Sequence, residues 1–425
     1  MYKINWKKEL SGAIKIGGAK NAVLKIIPAG LLMKKVTLNN VPDIEDIQTF
    51  IQILTGYWVE CSYDRKNKIF KMDSTNLWNK WKIDNKHFSD IRASIMLLSP
   101  ILKRLWEIYI PTPGWDKIWR RGIEAHVNWL NAIWYKISVE TVDWKEFIKW
   151  EWKAKEWNFI VNWAFSVTWT ENIIISNILR KGETTIKNAA IEPHVMNLID
   201  FFRKAWADIK IRFDNTIVIN WVEELDEEIE FDIISDYLQS GTYMVIAALC
   251  SKEYLDIQNA RIQDLYTFLE KFKEMWVKFE DLWNDTLRVY RSNNLKAVKI
   301  QTNIHPWFPT DLQSLFALLM TQAKWESRIH EILYEWRLWW LVELEKMWAN
   351  LKIVNPHEAK IFGESKYEWK YVDSWDLRAG CAVAIAGLMA EWQTVVTNVQ
   401  YIKRGYEDFV GNLKMLWADI EEIEG

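Results

Sequence analysis

Val195-Met196-Asn197-Leu198-Ile199-Asp200-Phe201-Phe202-Arg203-Lys204-Ala205-Trp206-Ala207-Asp208-Ile209 is the stretch on which the reading of this chain turns. Its apolar residues up to Ala205 recur at helical spacing, and after Trp206 the pattern becomes strand-like. Trp206 therefore stands just past a helix end, at the C′ position, where the backbone usually turns left-handed and glycine is preferred. The same marker recurs at Trp58, Trp134, Trp276, Trp348 and Trp417. Successive subtraction gives spacings of 76, 72, 70, 72 and 69 residues. Nearly all of the 425 residues thus divide into six units of about seventy, a period that governs every later reading.

A tryptophan at C′ is chemically odd, because a left-handed residue with a Cβ costs about 1 kcal/mol or more. Composition points the same way. The chain has 29 tryptophans and only 15 glycines, whereas glycine ordinarily makes up about 7% of residues. Together they would be an ordinary glycine content for an α/β protein. The expectation is that many of these codons are UGA, decoded as glycine in the natural host. A tryptophan-rich carbohydrate binder is the competing reading.

The remaining composition bounds the function. The formal net charge is −3, from 54 basic and 57 acidic side chains, which speaks against a nucleic-acid partner held by bulk electrostatics. Cys61, Cys250 and Cys381 are far apart and form no CxxC, so neither disulfide framework nor zinc knuckle is expected. The six histidines show no paired metal-ligand spacing. No apolar run reaches about 18 residues and the first ten residues are too polar for a signal peptide. A soluble cytoplasmic protein without membrane contact is expected. Runs such as Ala13–Ile16, Ile108–Ile110 and Thr184–Ile186 read as strands between amphipathic helices, so the class is mixed α/β.

A second recurring element is an aspartate ahead of a helix, at Asp90, Asp236, Asp311 and Asp376. Its plain reading is an N-cap, the carboxylate accepting the unpaired amides of the first turn. Capping does not call for the arginines at Arg92 and Arg378. Near the amino terminus, Gly17-Gly18-Ala19-Lys20-Asn21-Ala22 sets a lysine beside a glycine turn that could admit an anion, although it lacks P-loop spacing.

With these motifs in order, the sequence resembles the UDP-N-acetylglucosamine 1-carboxyvinyltransferase family of enolpyruvyl transferases almost end to end. The carriers are Gly18-Ala19-Lys20-Asn21-Ala22, Arg92-Ala93-Ser94, Pro113-Gly114-Trp115-Asp116-Lys117-Ile118-Trp119-Arg120-Arg121, Thr168-Trp169-Thr170-Glu171-Asn172, Phe308-Pro309-Thr310-Asp311-Leu312-Gln313, Asp376-Leu377-Arg378-Ala379 and Arg404-Gly405-Tyr406. Trp115, Trp119 and Trp169 stand where the family tends to have glycine. The resemblance implies a two-domain α/β enolpyruvyl transferase fold of six repeats, three per domain about a pseudo-threefold axis. Residues 1–20 with 236–425 would form one domain, and 21–235 the other, carrying a mobile active-site loop near 112–122.

The implied reaction is transfer of the enolpyruvyl group of phosphoenolpyruvate to the 3′-hydroxyl of UDP-N-acetylglucosamine, with release of phosphate, in peptidoglycan precursor synthesis. No metal or organic cofactor is implied. By the same resemblance Lys20, Asp116 and Asp311 are the catalytic candidates, Asp116 as an acid where most relatives carry cysteine and Asp311 as the base. Asn21, Arg92, Arg121, Arg337, Asp376, Arg378 and Arg404 are the substrate-binding candidates. Arginine's planar fork suits carboxylate and phosphate oxygens. The rivals are the shikimate-pathway enolpyruvyl transferase, which shares fold and chemistry, and a non-catalytic UDP-sugar-binding paralogue.

Overall fold

The computed structural model describes residues 1–5, 9–77, 86–105, 107–111, 135–142, 145–152, 159–162 and 166–424. They form two compact units. One comprises Met1–Gly17 and Ser235–Gly425; the other comprises the described residues between Gly18 and Ile234. Lys20, counted with the terminal segments in the sequence reading, lies instead in the second unit. The reason is local: Ala19 and Ala22 are already packed into that unit's own apolar core. Each unit has a separate core, built largely from Ile, Leu, Val, Phe and Ala.

The helices used below are α1 (Lys20–Gly30), α2 (Glu45–Gly56), α3 (Leu98–Leu105), α4 (Val167–Asn177), α5 (Pro193–Lys204), α6 (Tyr237–Cys250), α7 (Tyr266–Glu274), α8 (Gln313–Met320), α9 (Leu341–Lys346), α10 (Leu377–Met389), α11 (Gln400–Lys403) and α12 (Phe409–Met415). Among the described residues each unit holds three sheets of three or more strands. Four of these six share one pattern, a parallel pair followed by two antiparallel pairs, and a fifth, which contains Glu326–Glu331, has the same pattern with one more parallel strand at its edge. In the second unit, Glu228–Asp232 runs parallel to Lys35–Asn39, which pairs antiparallel with Ile69–Asp73 and then Glu60–Asp64. In the first unit, Leu10–Lys15 runs parallel to Ser251–Gln258, followed by Leu287–Tyr290 and Phe279–Asp281. The sheet of Glu107–Pro111, Lys145–Trp152 and Tyr135–Val142 is antiparallel throughout. Repetition of one pattern is the structural form of the seventy-residue period.

Helices α6, α8 and α10 pack on one another at the centre of the first unit. Every residue of α6 and of α8 is buried, as expected of helices without a polar face. Helices α2, α5, α7, α9 and α12 are one-sided, and each ends at one of the tryptophan markers.

At those ends the backbone follows the pattern inferred from sequence. Trp58, Trp206, Trp276, Trp348 and Trp417 have φ of 63°, 69°, 68°, 74° and 73°. In each case the tryptophan N–H donates three residues back and the next N–H donates five back. After α5, Trp206 donates to Arg203 O at 3.0 Å and Ala207 to Phe202 O at 3.0 Å; after α12, Trp417 donates to Lys414 O and Ala418 to Leu413 O, both at 2.9 Å. These are Schellman ends. The residue after each indole, Val59, Ala207, Val277, Ala349 or Ala418, is buried, whereas the indoles are 60% to 75% exposed. Trp134 lies outside the described residues.

Four further tryptophans, Trp283, Trp325, Trp336 and Trp392, share the left-handed conformation and are exposed. Of the other described non-glycine residues at positive φ, seven are asparagine and two aspartate, types that tolerate this region. Among the described residues, no helix is long and apolar enough to cross a membrane.

The left-handed indoles yield an expected outcome. Glycine at each C′ site should stabilise the chain by about 1 kcal/mol relative to tryptophan, and the five described sites, far apart, should add to about 5 kcal/mol. Denaturant unfolding of the five-fold Trp→Gly variant measures this. Peptide mass spectrometry of protein from its natural host tests the codon expectation: indole-containing peptides at these sites would overturn it.

Candidate active site

In the second unit, Lys20 is the first residue of α1, reached through a turn that requires glycine. A Cβ on Gly18 would lie 1.8 Å from the carbonyl oxygen of Asn40. Lys20 is buried, and its Nζ meets Asp46 Oδ2 of α2 at 2.7 Å. That carboxylate fixes the ammonium at the helix start, a partner that sequence reading did not find. Asn21 follows, half-buried. Arg92 opens the short 3-10 helix Arg92–Leu97, which packs against α1. Asp90 does not cap it; Ile91 occupies the N-cap position, and Asp90 Oδ2 instead meets His87 Nδ1 at 3.1 Å. Asp116 and Arg121 lie outside the described residues, as does the whole loop 112–122.

Deeper in the same unit Lys25 Nζ donates to Glu171 Oε2 at 2.6 Å, tying α1 to α4. Glu171 is completely buried, and burial raises its pKa while Lys25 opposes the rise. Glu171 belongs to the quoted motif at residues 168–172 and Lys25 lies three residues past Ala22 of another, but nothing in their spacing announces the pair.

In the first unit the starts of α6, α8 and α10 bring acids and arginines together. Asp236 and Asp376 are N-caps: Asp236 accepts from the amides of Leu238 and Gln239, Asp376 from those of Arg378 and Ala379 at 2.7 and 2.8 Å. Asp311 departs from this expectation. A 3-10 turn, Thr310–Leu312, precedes α8, so Leu312 takes the cap position and the Asp311 carboxylate is left for other partners. Its Oδ1 accepts from Arg337 Nη2 at 2.8 Å and its Oδ2 lies 3.8 Å from Arg378 Nε. The third aspartate of the series has thus been turned from cap to ion-pair partner.

Both arginines are buried. Burial alone would pull the Arg337 pKa down, but Asp311, Glu331 and Asp376 more than offset it, and the net shift is upward. For Arg378 burial likewise opposes the charge, and Tyr406, Asp236 and Asp311 raise it. Asp236 carries the reverse strain: burial raises its pKa against the pull of Arg378. The Tyr406 ring lies under the Arg378 guanidinium, 5.1 Å from its centroid, and its hydroxyl pairs with Thr242 at 2.8 Å. Arg404 is the C-cap residue of α11. Gly405 next to it fits closely, since a Cβ there would meet Leu377 at 2.5 Å. Asp311, Arg337, Asp376 and Arg378 therefore belong to one cluster with two fixed cations, suited to oxyanions, and a carboxylate available for proton transfer. Among the described residues no group of three or more His, Cys, Asp or Glu is arranged to hold a metal.

Residues 4–413 match the sequence profile of the family EPSP synthase (3-phosphoshikimate 1-carboxyvinyltransferase), and the chain belongs to that family. It is 34% identical over 418 residues to UDP-N-acetylglucosamine 1-carboxyvinyltransferase 1 of Staphylococcus aureus (strain N315), covering 98% of this chain and 97% of the relative. It is also 34% identical over 433 residues to the UDP-N-acetylglucosamine 1-carboxyvinyltransferase of Finegoldia magna, covering 100% and 99%. Among solved structures, the enolpyruvyl transferase NikO from Streptomyces tendae aligns with TM-score 0.88 at 20% identity, over 99% of this chain and 98% of that one. EPSP synthase from Acinetobacter baumannii aligns with TM-score 0.76 at 14% identity, over 99% of both. The fold is that of the enolpyruvyl transferases.

The buried pair of the second unit gives a stability test. Lys25→Met should destabilise the protein by about 3 to 5 kcal/mol, because it leaves the buried carboxylate without its ammonium partner and with only the imidazole of His194 at 3.6 Å beside its other oxygen. Adding Glu171→Leu should recover much of the loss, measured by urea unfolding. Equal stability of Lys25→Met and the parent would mean that the pair contributes nothing.

Proposed function

We propose that the protein transfers the enolpyruvyl group of phosphoenolpyruvate to the 3′-hydroxyl of UDP-N-acetylglucosamine, releasing phosphate, in peptidoglycan precursor synthesis. The observation that carries this reading is the full-length identity of 34% to proteins named for that activity. The cluster of Asp311, Arg337 and Arg378 supports it chemically. The shikimate-pathway rival shares the fold, but the most similar relatives described above are named for the UDP-sugar reaction. Work in the cytoplasm follows as part of the same proposal.

In this mechanism two oxyanionic substrates must be held side by side. By the resemblance, Lys20, Arg92, Arg121, Arg337, Arg378 and Arg404 are the cations assigned to the anionic groups of the substrates, and Asn21 and Asp376 are assigned to orient them. Developing negative charge on phosphate and carboxylate oxygens is stabilised by donors already in place. Asp311 accepts the proton of the sugar hydroxyl as that oxygen attacks C2 of phosphoenolpyruvate. Its Oδ1 accepts from Arg337 and its Oδ2 lies 3.8 Å from Arg378, so two guanidinium groups hold the carboxylate in place as it takes the proton. Asp116 acts as the acid that protonates the methylene carbon, forming a tetrahedral intermediate; loss of that carbon's proton and departure of phosphate then give the enolpyruvyl ether. No metal or organic cofactor enters.

The test is phosphate release with both substrates present and none with either alone; release with shikimate 3-phosphate in place of the UDP-sugar would favour the rival. Asp311→Asn should lower turnover by about 10²- to 10⁴-fold, the range for a lost general base. Because Asp311 does not cap α8, a change in turnover cannot be traced to a frayed helix. Fosfomycin, which alkylates the loop cysteine of relatives, should not inactivate a protein with Asp116 there, since thiolate is the effective nucleophile. Asp116→Cys should gain time-dependent inactivation.

A further inference from the structure

The strand Glu326–Glu331 alternates exposed and buried residues, and its inward face reads Ser327, Ile329, Glu331. Where the alternation calls for an apolar side chain it delivers a carboxylate that is 0% exposed. A buried charge of this kind is costly unless its oxygens are satisfied. Both are: Oε2 accepts from Thr310 Oγ1 at 2.6 Å, and Oε1 from the Leu333 amide at 3.0 Å.

The direction of these bonds matters. A threonine hydroxyl has one proton, and here it points to Glu331, so its lone pairs face Arg337, whose Nη1 donates to Thr310 Oγ1 at 2.8 Å. The guanidinium is planar, so holding Nη1 on Thr310 sets where Nη2 points, and Nη2 is the donor to Asp311 Oδ1. In the relay Glu331, Thr310, Arg337, Asp311 the direction of every bond is therefore fixed: Thr310 donates to Glu331, and Arg337 donates on one side to Thr310 and on the other to Asp311, with an acceptor carboxylate at each end. An amide at position 331 would break it. With its oxygen kept on the Leu333 amide, a glutamine would present NH₂ to Thr310, and the hydroxyl proton would be left between two donors.

We infer that Glu331 is a positioning residue for enolpyruvyl transfer, acting through Thr310 and Arg337 to set the orientation of the Asp311 carboxylate. The inference rests on the proposed function. Its consequence is a turnover effect from a residue that touches no substrate.

The experiment compares phosphate release by the parent protein, Glu331→Gln, Thr310→Val, Thr310→Ser and the double variant Glu331→Gln/Thr310→Val. Expected are kcat losses of about 10- to 100-fold for Glu331→Gln and Thr310→Val, the range for a misaligned catalytic group. KM for both substrates should stay within about twofold of the parent, and the double variant should lose no more than the worse single one. Thr310→Ser, which keeps the hydroxyl, should restore most of kcat. Parent-like kcat in Glu331→Gln, losses that multiply in the double variant, or a Thr310→Ser defect equal to that of Thr310→Val would overturn the relay. Should Glu331→Gln fail to fold, the Val and Ser pair at 310 decides alone. A parent protein that releases no phosphate would sink the functional reading instead, and is told apart because every other comparison is made relative to it.

Discussion

The left-handed turn at the end of each outer helix is the constraint on which the repeat depends. Five one-sided helices end in Schellman bonds, and directly afterwards the chain must bury Val59, Ala207, Val277, Ala349 or Ala418. If the backbone continued right-handed, that apolar residue would leave the core and the strand after it would start on the wrong face. The turn thus couples helix length to strand register in every unit where it is described. It also explains why a bulky residue written at this point is so conspicuous: the conformation is imposed by the fold, and the side chain has nowhere to go but solvent.

That same feature accounts for how much of the fold was legible. The period was visible because an unusual residue marked equivalent positions. Trp283, Trp325, Trp336 and Trp392 adopt the same conformation but follow no amphipathic helix, so pattern alone did not single them out. The aspartates show the limit of local reasoning more plainly. Asp236, Asp311 and Asp376 share a sequence context, yet only Asp236 and Asp376 cap their helices. Asp311 was diverted by Arg337, a residue on a different segment, 26 positions away. Propensity reads the backbone groups nearest in sequence, and tertiary ion pairs override it. The partners Asp46 of Lys20 and Lys25 of Glu171 were hidden for the same reason: they come from different helices. Glu331 did leave a trace, in phase with Ser327 and Ile329 on the inward side of its strand.

The first unit's cluster balances opposing charges rather than displaying bare cations. Arg337 and Arg378 are buried, but Asp236, Asp311, Glu331 and Asp376 surround them electrostatically. The arginines stay charged and rigid before any anion arrives, and little reorganisation remains to be done when it does. This is consistent with a chain whose overall charge is slightly negative. Local arrangement, rather than net charge, determines what such a cluster can hold.

The strand order of the first unit bears on how the chain is made. Tyr2–Ile4 pairs on one side with Thr394–Thr397 and on the other with Ile420–Glu422, and Leu10–Lys15 pairs with Ser251–Gln258. On a ribosome that emits residues in order, the second unit, ending at Ile234, is complete while the partners of those first strands have yet to be synthesised. Leu10–Lys15 must wait, unpaired, for Ser251–Gln258, and Tyr2–Ile4 for almost the last strands of the chain. Synthesis therefore favours a vectorial order in which the inserted unit folds first, and the exposed edges of Tyr2–Ile4 and Leu10–Lys15 are the segments most in need of protection by chaperones during that interval.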